Sequence, residues 1–146
     1  MATVFDVAKY IVDKLGEIDT WKLQKLVYYC QAWSLVWDEK PLFNSKIEAW
    51  ANGPVCRDLY NIHKGKYAIG PETPIWDGAN PAALTESERE TVDAVLRDYG
   101  DKAGHWLRAL THLEEPWKMA REGVPLMDPC ENEITHEMMR LYYGSL

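Results

Sequence analysis

The chain has 146 residues, and its content of 47% hydrophobic and 12% aromatic residues excludes a disordered protein and predicts one domain, spanning 1–146, with a sizeable core. Its formal net charge is −7, from 23 acidic and 16 basic residues, which argues against a nucleic-acid partner and favours a basic protein partner. No stretch approaches the roughly 20 apolar residues that a membrane-spanning helix needs, so we expect no membrane partner.

The first predicted element is an amphipathic helix over residues 4–15, with apolar residues along one face. Asp6 and Asp13 lie within its apolar pattern, and the segment has no small-residue cleavage site. We therefore expect a helix of the mature protein and not a signal peptide. A cytoplasmic location is the corresponding expectation.

The second predicted helix, over residues 21–37, has apolar residues on nearly all of its sides. Its strongly polar residues are few, namely Lys22, Gln24, Lys25 and Gln31. A helix of this kind has to be surrounded by other elements. The pattern therefore predicts the central helix of the fold, shielded by the N-terminal and C-terminal helices, with Asp19 or Thr20 as its N-cap.

A β-hairpin is predicted next. Residues 40–50 contain two short extended runs around the pair Asn-Ser at 44–45, which is typical of a turn. The tripeptide Asn-Gly-Pro at 52–54 predicts a change from strand to helix. Pro54 then lies in the first helical turn, where its missing N–H is no loss. We expect Trp50 to pack beside this corner.

Residues 65–84 are rich in Gly and Pro and form the longest irregular segment of the sequence. Loops of more than about 12–15 residues are often functional. Helical periodicity then returns: Thr85 and Glu88 fit a capping box, and Asp101 is placed to cap the following helix. The remaining predicted helices lie at 85–99, 101–113, 116–122 and 135–143. The whole pattern predicts a mostly α fold of about six helices around the central hydrophobic helix, with one small β-hairpin.

Few residues suggest catalysis or metal binding. Cys30, Cys56 and Cys130 are widely spaced and form no CxxC pair, so neither a disulfide framework nor a zinc ribbon is indicated. Cys56 precedes His63 by seven residues, a spacing that allows a nucleophile and a base, but nothing marks a third orienting group. We predict no catalytic residues, no metal and no cofactor. The alternative is a small enzyme that uses Cys56, His63 or His112.

The tryptophans divide into two groups. Trp33, Trp37 and Trp106 lie on helical stripes and are expected in the core. Three others lie near predicted turns, where exposure is expected: Trp50, Trp76 and Trp117. Exposed aromatic residues are frequent anchors of protein–protein interfaces, so these three are the candidate partner-binding residues.

Three segments of the sequence carry a family resemblance. "KLQKLVYYCQAWSL", "PLFNSKIEAWANGPVCRDLY" and "LTHLEEPWKMA" follow one another with the spacing of the SocA-like Panacea domain family, which includes antitoxins and phage-associated GepA-like proteins. The similarity runs over nearly the whole chain. The matching residues are Lys22, Leu23, Gln24, Lys25, Leu26, Tyr28, Tyr29, Ala49, Trp50, Gly53, Pro54, Val55, Thr111, His112, Pro116 and Trp117. Where the family often has an aromatic residue before Gly-Pro, this chain has Asn52.

The resemblance implies a function as well as a fold. It implies a mostly helical Panacea domain that acts as an antitoxin by binding a cognate toxin. Some family members instead act as adaptors that deliver the toxin to a protease, which makes a protease the second implied partner. A DNA-binding repressor is a third alternative, and the negative charge disfavours it.

Overall fold

The computed structural model describes residues 1–146 and contains seven helices and five short strands. The helices are α1 (Val4–Leu15), α2 (Thr20–Trp37), α3 (Arg57–His63), α4 (Glu86–Tyr99), α5 (Gly104–Leu113), α6 (Glu115–Ala120) and α7 (His136–Gly144). The strands are β1 (Ile18–Asp19), β2 (Ile47–Trp50), β3 (Gly53–Cys56), β4 (Ala68–Ile69) and β5 (Glu133–Ile134). The prediction of a mostly α fold is confirmed.

Helix α2 is the centre of the fold, as its sequence predicts. It packs against α1, α4, α5, α7 and β3. Leu23 and Leu26 have no exposed surface, and both belong to a continuous cluster of 31 buried core residues. Asp19 caps the helix by accepting a hydrogen bond from the Lys22 N–H at 2.8 Å. None of the helices has the length and the hydropathy that crossing a membrane demands.

Two tryptophans expected in the core lie at the surface instead. Trp37 and Trp106 are each 46% exposed, whereas Trp33 is half-buried and stacks on Trp37 with ring centroids 5.0 Å apart. Trp37 is the last residue of α2, and Trp106 lies in the first turn of α5. Helical periodicity identifies the face on which a residue lies, but it does not say where along the helix the neighbours stop.

The β-hairpin differs from the prediction. The segment at 44–45 forms no hairpin turn; β2 pairs with β3, and the turn is Ala51-Asn52, with Trp50 opposite Gly53. β5 pairs with the other edge of β2, which gives an antiparallel sheet in the order β3-β2-β5. The predicted turn pair lies instead in an irregular segment that precedes β2.

Pro54 is the second correction at this corner. It lies in β3, not in the first turn of α3, which begins three residues later at Arg57. The same property explains both environments, because a residue without an N–H is tolerated at an edge strand as well as at a helix start. β3 is an edge strand of the sheet.

The predicted irregular segment contains two short elements. β4 pairs with β1 to form a second small antiparallel sheet, and Pro81–Ala83 form a single 3-10 turn. Thr85 and Glu88 make the predicted capping box at the start of α4. α5 lies where a helix was predicted, but the predicted cap is wrong. Asp101 does not cap the helix, and the N-cap position is Ala103, which has no side chain able to accept a hydrogen bond.

Candidate functional site

The three motif segments meet around the β2–β3 hairpin. From α2, the Lys25 side chain runs under the hairpin and is fully buried. Its Nζ donates a hydrogen bond to the Pro54 carbonyl at 3.2 Å and lies 5.4 Å from the centre of the Trp21 ring. Lys25 therefore ties the central helix to β3 and has no access to solvent.

The burial of Lys25 has an electrostatic consequence. Desolvation of the ammonium group, with a smaller contribution from Arg108, lowers the pKa of Lys25 to about 7, although Asp19 acts in the opposite direction. A buried lysine with this pKa is a structural group that changes charge near neutral pH.

Gly53 makes the close approach of Lys25 possible. Its φ is +113°, a backbone conformation that side chains with a Cβ rarely adopt. A Cβ atom at this position would lie 2.5 Å from Cε of Lys25 and 3.2 Å from Oγ1 of Thr111. The glycine of the Gly-Pro motif is thus explained by packing, because a residue without a side chain leaves room for the lysine.

Gln24, the neighbour of Lys25 on α2, binds the last residue of β3, Cys56. Its Oε1 accepts from the Cys56 N–H at 2.9 Å and its Nε2 donates to the Cys56 carbonyl at 3.2 Å, so one amide side chain acts as a strand partner. Nε2 also lies 3.0 Å from Nε2 of His63. The buried Gln24 therefore joins α2, β3 and α3.

Gln31 repeats this arrangement two helical turns further along α2. Its Oε1 accepts from the backbone N–H groups of Leu42 and Phe43, and its Nε2 donates to the Phe43 carbonyl at 2.8 Å. The signal in the sequence was the seven-residue spacing of Gln24 and Gln31, which places two amides on one face of an otherwise apolar helix.

Trp117 lies beneath the hairpin. It is only 4% exposed, and its Nε1 donates to the Trp50 carbonyl at 2.8 Å. The His112 ring stacks on the Trp117 ring, with the two ring centroids 3.9 Å apart. Nε2 of His112 is buried without a hydrogen-bond partner. Burial, together with Arg108, lowers the pKa of His112 to about 4. The expectation that Trp117 is exposed is therefore wrong: it supports Trp50 from below.

A buried carboxylate organises the other side of α2. Glu114 accepts hydrogen bonds from the hydroxyl groups of Tyr29 and Tyr143, each at 2.7 Å. Burial raises the pKa of Glu114, and these two hydrogen bonds only partly offset the effect. Acidic side chains are usually exposed, so the pair Glu114-Glu115 gives no local signal in the sequence for this burial.

Arg121 holds a loop that the sequence did not single out. The side chain is 4% exposed. Its guanidinium donates to the Ala49 carbonyl of β2 and to the carbonyls of Pro125, Leu126 and Asp128, at distances from 2.7 to 3.0 Å. One buried arginine therefore fixes the irregular loop 122–131 against the sheet.

The hairpin and this loop enclose a shallow groove. Trp50 and Tyr60 form one wall, with ring centroids 4.9 Å apart, and Met127 lies on the loop side. Arg57 lies over the Trp50 ring at 5.3 Å and bonds to Glu48 and Glu131.

Glu48 holds the indole of Trp50 in place as well, because it accepts the Trp50 Nε1–H at 2.8 Å. Burial opposes ionisation of Glu48, but the hydrogen bonds from Arg57 and Trp50 outweigh that effect and lower its pKa. Trp50 is half-buried, so one part of its ring faces the groove.

Trp76, the remaining candidate, lies elsewhere. It is half-buried, packs against the core and donates its Nε1–H to the Gly70 carbonyl at 2.9 Å. It does not line the groove. The structure thus brings Trp50 and Trp117 together and leaves Trp76 apart.

The residues of the enzyme alternative are poorly placed for chemistry. Cys56 is buried, and burial raises the pKa of its thiol to about 11, away from the reactive thiolate. His63 is also buried, and its Nε2 faces the Gln24 amide. The structure contains no group of three His, Cys, Asp or Glu side chains that could hold a metal ion.

Comparison with known proteins accounts for the motif pattern. The sequence model of the family described as "Antitoxin SocA-like, Panacea domain" matches residues 23–118. The chain is also 28% identical to Antitoxin SocA of Caulobacter vibrioides (strain NA1000 / CB15N) over 130 residues, covering 80% of this chain and 69% of that protein. No solved structure matches the chain. Since the family match extends over most of the chain and contains α2 from Leu23 onward, the hairpin and the α5–α6 junction, this chain belongs to the antitoxin SocA-like family of Panacea-domain proteins.

Proposed function

We propose that this protein is a cytoplasmic antitoxin that neutralises a cognate toxin by binding it directly. The observation that carries the proposal is the family match, which extends over residues 23–118 and therefore includes the motif residues that build the hairpin scaffold. A relative that shares 28% identity is named Antitoxin SocA.

The charge of the chain supports a basic toxin as the partner. With a formal net charge of −7, the protein attracts a positively charged surface and repels nucleic acid. Complementary charge raises the rate at which two proteins meet. An acidic antitoxin can therefore reach its toxin quickly and cover a basic surface.

Trp50 and Trp76 are the proposed contact residues among the tryptophans. Each is half-buried, so its ring has a fixed orientation while part of it stays available to a partner. Tryptophan is enriched among the residues that dominate binding energies. Trp117, buried under Trp50, contributes by holding the Trp50 backbone.

The chemistry of the residues that an enzyme would use, Cys56 and His112, fits a non-enzymatic role. A thiol with a pKa near 11 is protonated at neutral pH, and a histidine with a pKa near 4 is uncharged. Neither Cys56 nor His112 is thus prepared for nucleophilic or acid–base chemistry.

Co-expression with the product of the adjacent gene tests the proposal. We expect the adjacent gene alone to inhibit growth, and we expect this chain to restore growth and to co-purify with the toxin. Trp50→Ala and Trp76→Ala should weaken the complex when binding is measured well below the melting temperature of each variant, because both rings also pack within the fold and their loss lowers stability. Tyr67→Ala, which removes a 77% exposed aromatic ring, is the matched control and should leave binding unchanged.

The same assay separates sequestration from delivery to a protease. If growth is restored only in cells that contain an active protease, and toxin levels fall there, the protein acts as an adaptor. Continued growth inhibition in the presence of the wild-type chain, or the absence of a complex, would contradict an antitoxin function for that pair.

A further inference from the structure

We propose that the groove between the β2–β3 hairpin and the loop 122–131 is the docking site for a cationic, amphipathic segment of the toxin. This inference rests on the proposed function, since it names the surface and the chemistry of the direct contact.

The loop presents large apolar side chains to solvent from a fixed backbone. Leu126 is 64% exposed and Met127 is 69% exposed. Their backbone is nevertheless ordered, because the buried Arg121 guanidinium binds the carbonyls of Pro125, Leu126 and Asp128. Exposed apolar residues on a pre-ordered loop lose little entropy on binding. This arrangement stabilises no core and is suited to contact with a partner.

The opposite wall of the groove is aromatic and equally fixed. The Trp50 indole N–H donates to Glu48, and the ring packs edge-to-face with Tyr60. The backbone carbonyl of Trp50 accepts a hydrogen bond from Nε1 of Trp117, which fixes the main chain at this position. Met127 and Pro129 line the loop side of the groove, so both of its walls carry apolar side chains.

The charges around the groove specify a cation. The loop and β5 carry four exposed carboxylates and no exposed basic side chain: Glu122, Asp128, Glu131 and Glu133. Glu131 is the carboxylate that lines the groove. The cation that lines the groove is the protein's own Arg57, which lies over Trp50 between Glu48 and Glu131. The groove therefore already binds one guanidinium by stacking and carboxylate contacts, and this chemistry is the same that would receive an arginine or lysine of a partner.

A partner can displace the ion pair between Arg57 and Glu131. The Glu131 side chain is 72% exposed, and ion pairs in such an environment contribute little to stability. An incoming cation can thus bind Glu131 in place of Arg57, while an apolar neighbour of that cation covers Met127.

Affinity measurements on the purified complex with the adjacent gene product test the inference. We expect Met127→Asp to weaken binding about tenfold or more, because it places a charge in the apolar contact. Glu131→Lys should weaken binding and reduce its dependence on salt concentration. Leu141→Asp and Glu90→Lys are matched controls, since they make the same changes at exposed positions on α7 and α4, and their affinities should stay within about twofold of the wild type.

Arg57→Gln provides a readout that a structural role alone would not give. Removing the internal cation frees Glu131 and Glu48, so we expect tighter binding at low salt and a steeper loss of affinity as salt is added. Thermal melts of each variant exclude unfolding as the cause. If the wild-type complex forms but the groove variants behave like their controls, the docking site is wrong and direct neutralisation stands. If no complex forms, both proposals are wrong.

Discussion

Gly53 and Lys25 fit each other at the base of the hairpin, since a Cβ atom on Gly53 would lie 2.5 Å from Cε of the lysine. The lysine has no room to retreat, because it is fully buried and its Nζ is bound to the Pro54 carbonyl. Two separate costs therefore oppose any side chain at position 53. One is the backbone φ of +113°, and the other is the collision with Lys25.

Replacing Gly53 by alanine should separate these two costs. Gly65 also has a positive φ, of +86°, but a Cβ there would have nothing within 4 Å, so Gly65→Ala reports backbone strain alone. We expect about 1–2 kcal/mol for Gly65→Ala and a clearly larger loss for Gly53→Ala in urea unfolding. Adding Lys25→Ala should recover part of the difference in a double-mutant cycle. Equal losses at the two glycines would contradict the steric role of Lys25.

The pH dependence of stability should report on Lys25. Its pKa is about 7 in the folded protein, below the ordinary value of 10.5, so the unfolded state binds more protons between these limits. The free energy of unfolding should therefore rise with pH in this window, by at most about 1.4 kcal/mol per pH unit. The cost of burying the charged amine is fully present below pH 7.

Lys25→Met is the comparison for this measurement, because it keeps a long side chain and removes the charge. The free energy of unfolding of the wild type should rise relative to that of Lys25→Met as pH increases from 7 to 10. Taking the difference between the two proteins cancels the contribution of the tyrosines, which both contain. A difference that does not change with pH would mean that Lys25 keeps its ordinary pKa.

Truncation of the central helix should destabilise the whole fold. Leu26 has no exposed surface, so Leu26→Ala should cost about 2–5 kcal/mol, from lost burial and from the cavity. Leu141, which is 58% exposed, is the control, and Leu141→Ala should change stability by less than about 0.5 kcal/mol. Denaturant melts give both values. A neutral Leu26→Ala would be inconsistent with a central α2.

Loss of Arg121 should release the loop without unfolding the protein core. The Asp128 N–H donates to the Pro125 carbonyl at 3.0 Å, within the turn that the guanidinium holds. Hydrogen exchange at the Asp128 amide should therefore accelerate in Arg121→Met, while amides of α2 should accelerate only as far as the loss of global stability requires. Arg97→Met, at a 74% exposed side chain, should leave the Asp128 amide unchanged.

Local signals in the sequence predicted the helices well. The capping boxes and apolar stripes depend on residues three or four apart, so α1, α2 and α4 lie close to their predicted bounds. The hairpin was misplaced because turn propensity at 44–45 competes with a long-range contact: Gln31 binds the backbone of 42–43 and holds that segment away from a hairpin.

The candidate site was only partly predictable for the same reason. The motif residues were recognised, but the roles of Lys25 and Gln24 depend on backbone groups at least 29 residues away. Arg121 anchors its own loop to the sheet through the carbonyl of Ala49, which is 72 residues away. No local pattern reveals such partners. Exposure of the tryptophans was misjudged because it depends on which neighbours cover each end of a helix.

Gln24 and Lys25 also have a consequence for assembly. Together they satisfy the outward backbone groups of β3, at Pro54 and Cys56, so this edge of the sheet offers no template for strand addition from another chain. The opposite edge is β5, which is two residues long and carries the exposed Glu133. A short, charged edge discourages pairing between copies of the protein. The three-stranded sheet is thereby protected from edge-to-edge aggregation, even when the protein is present in excess over its partner.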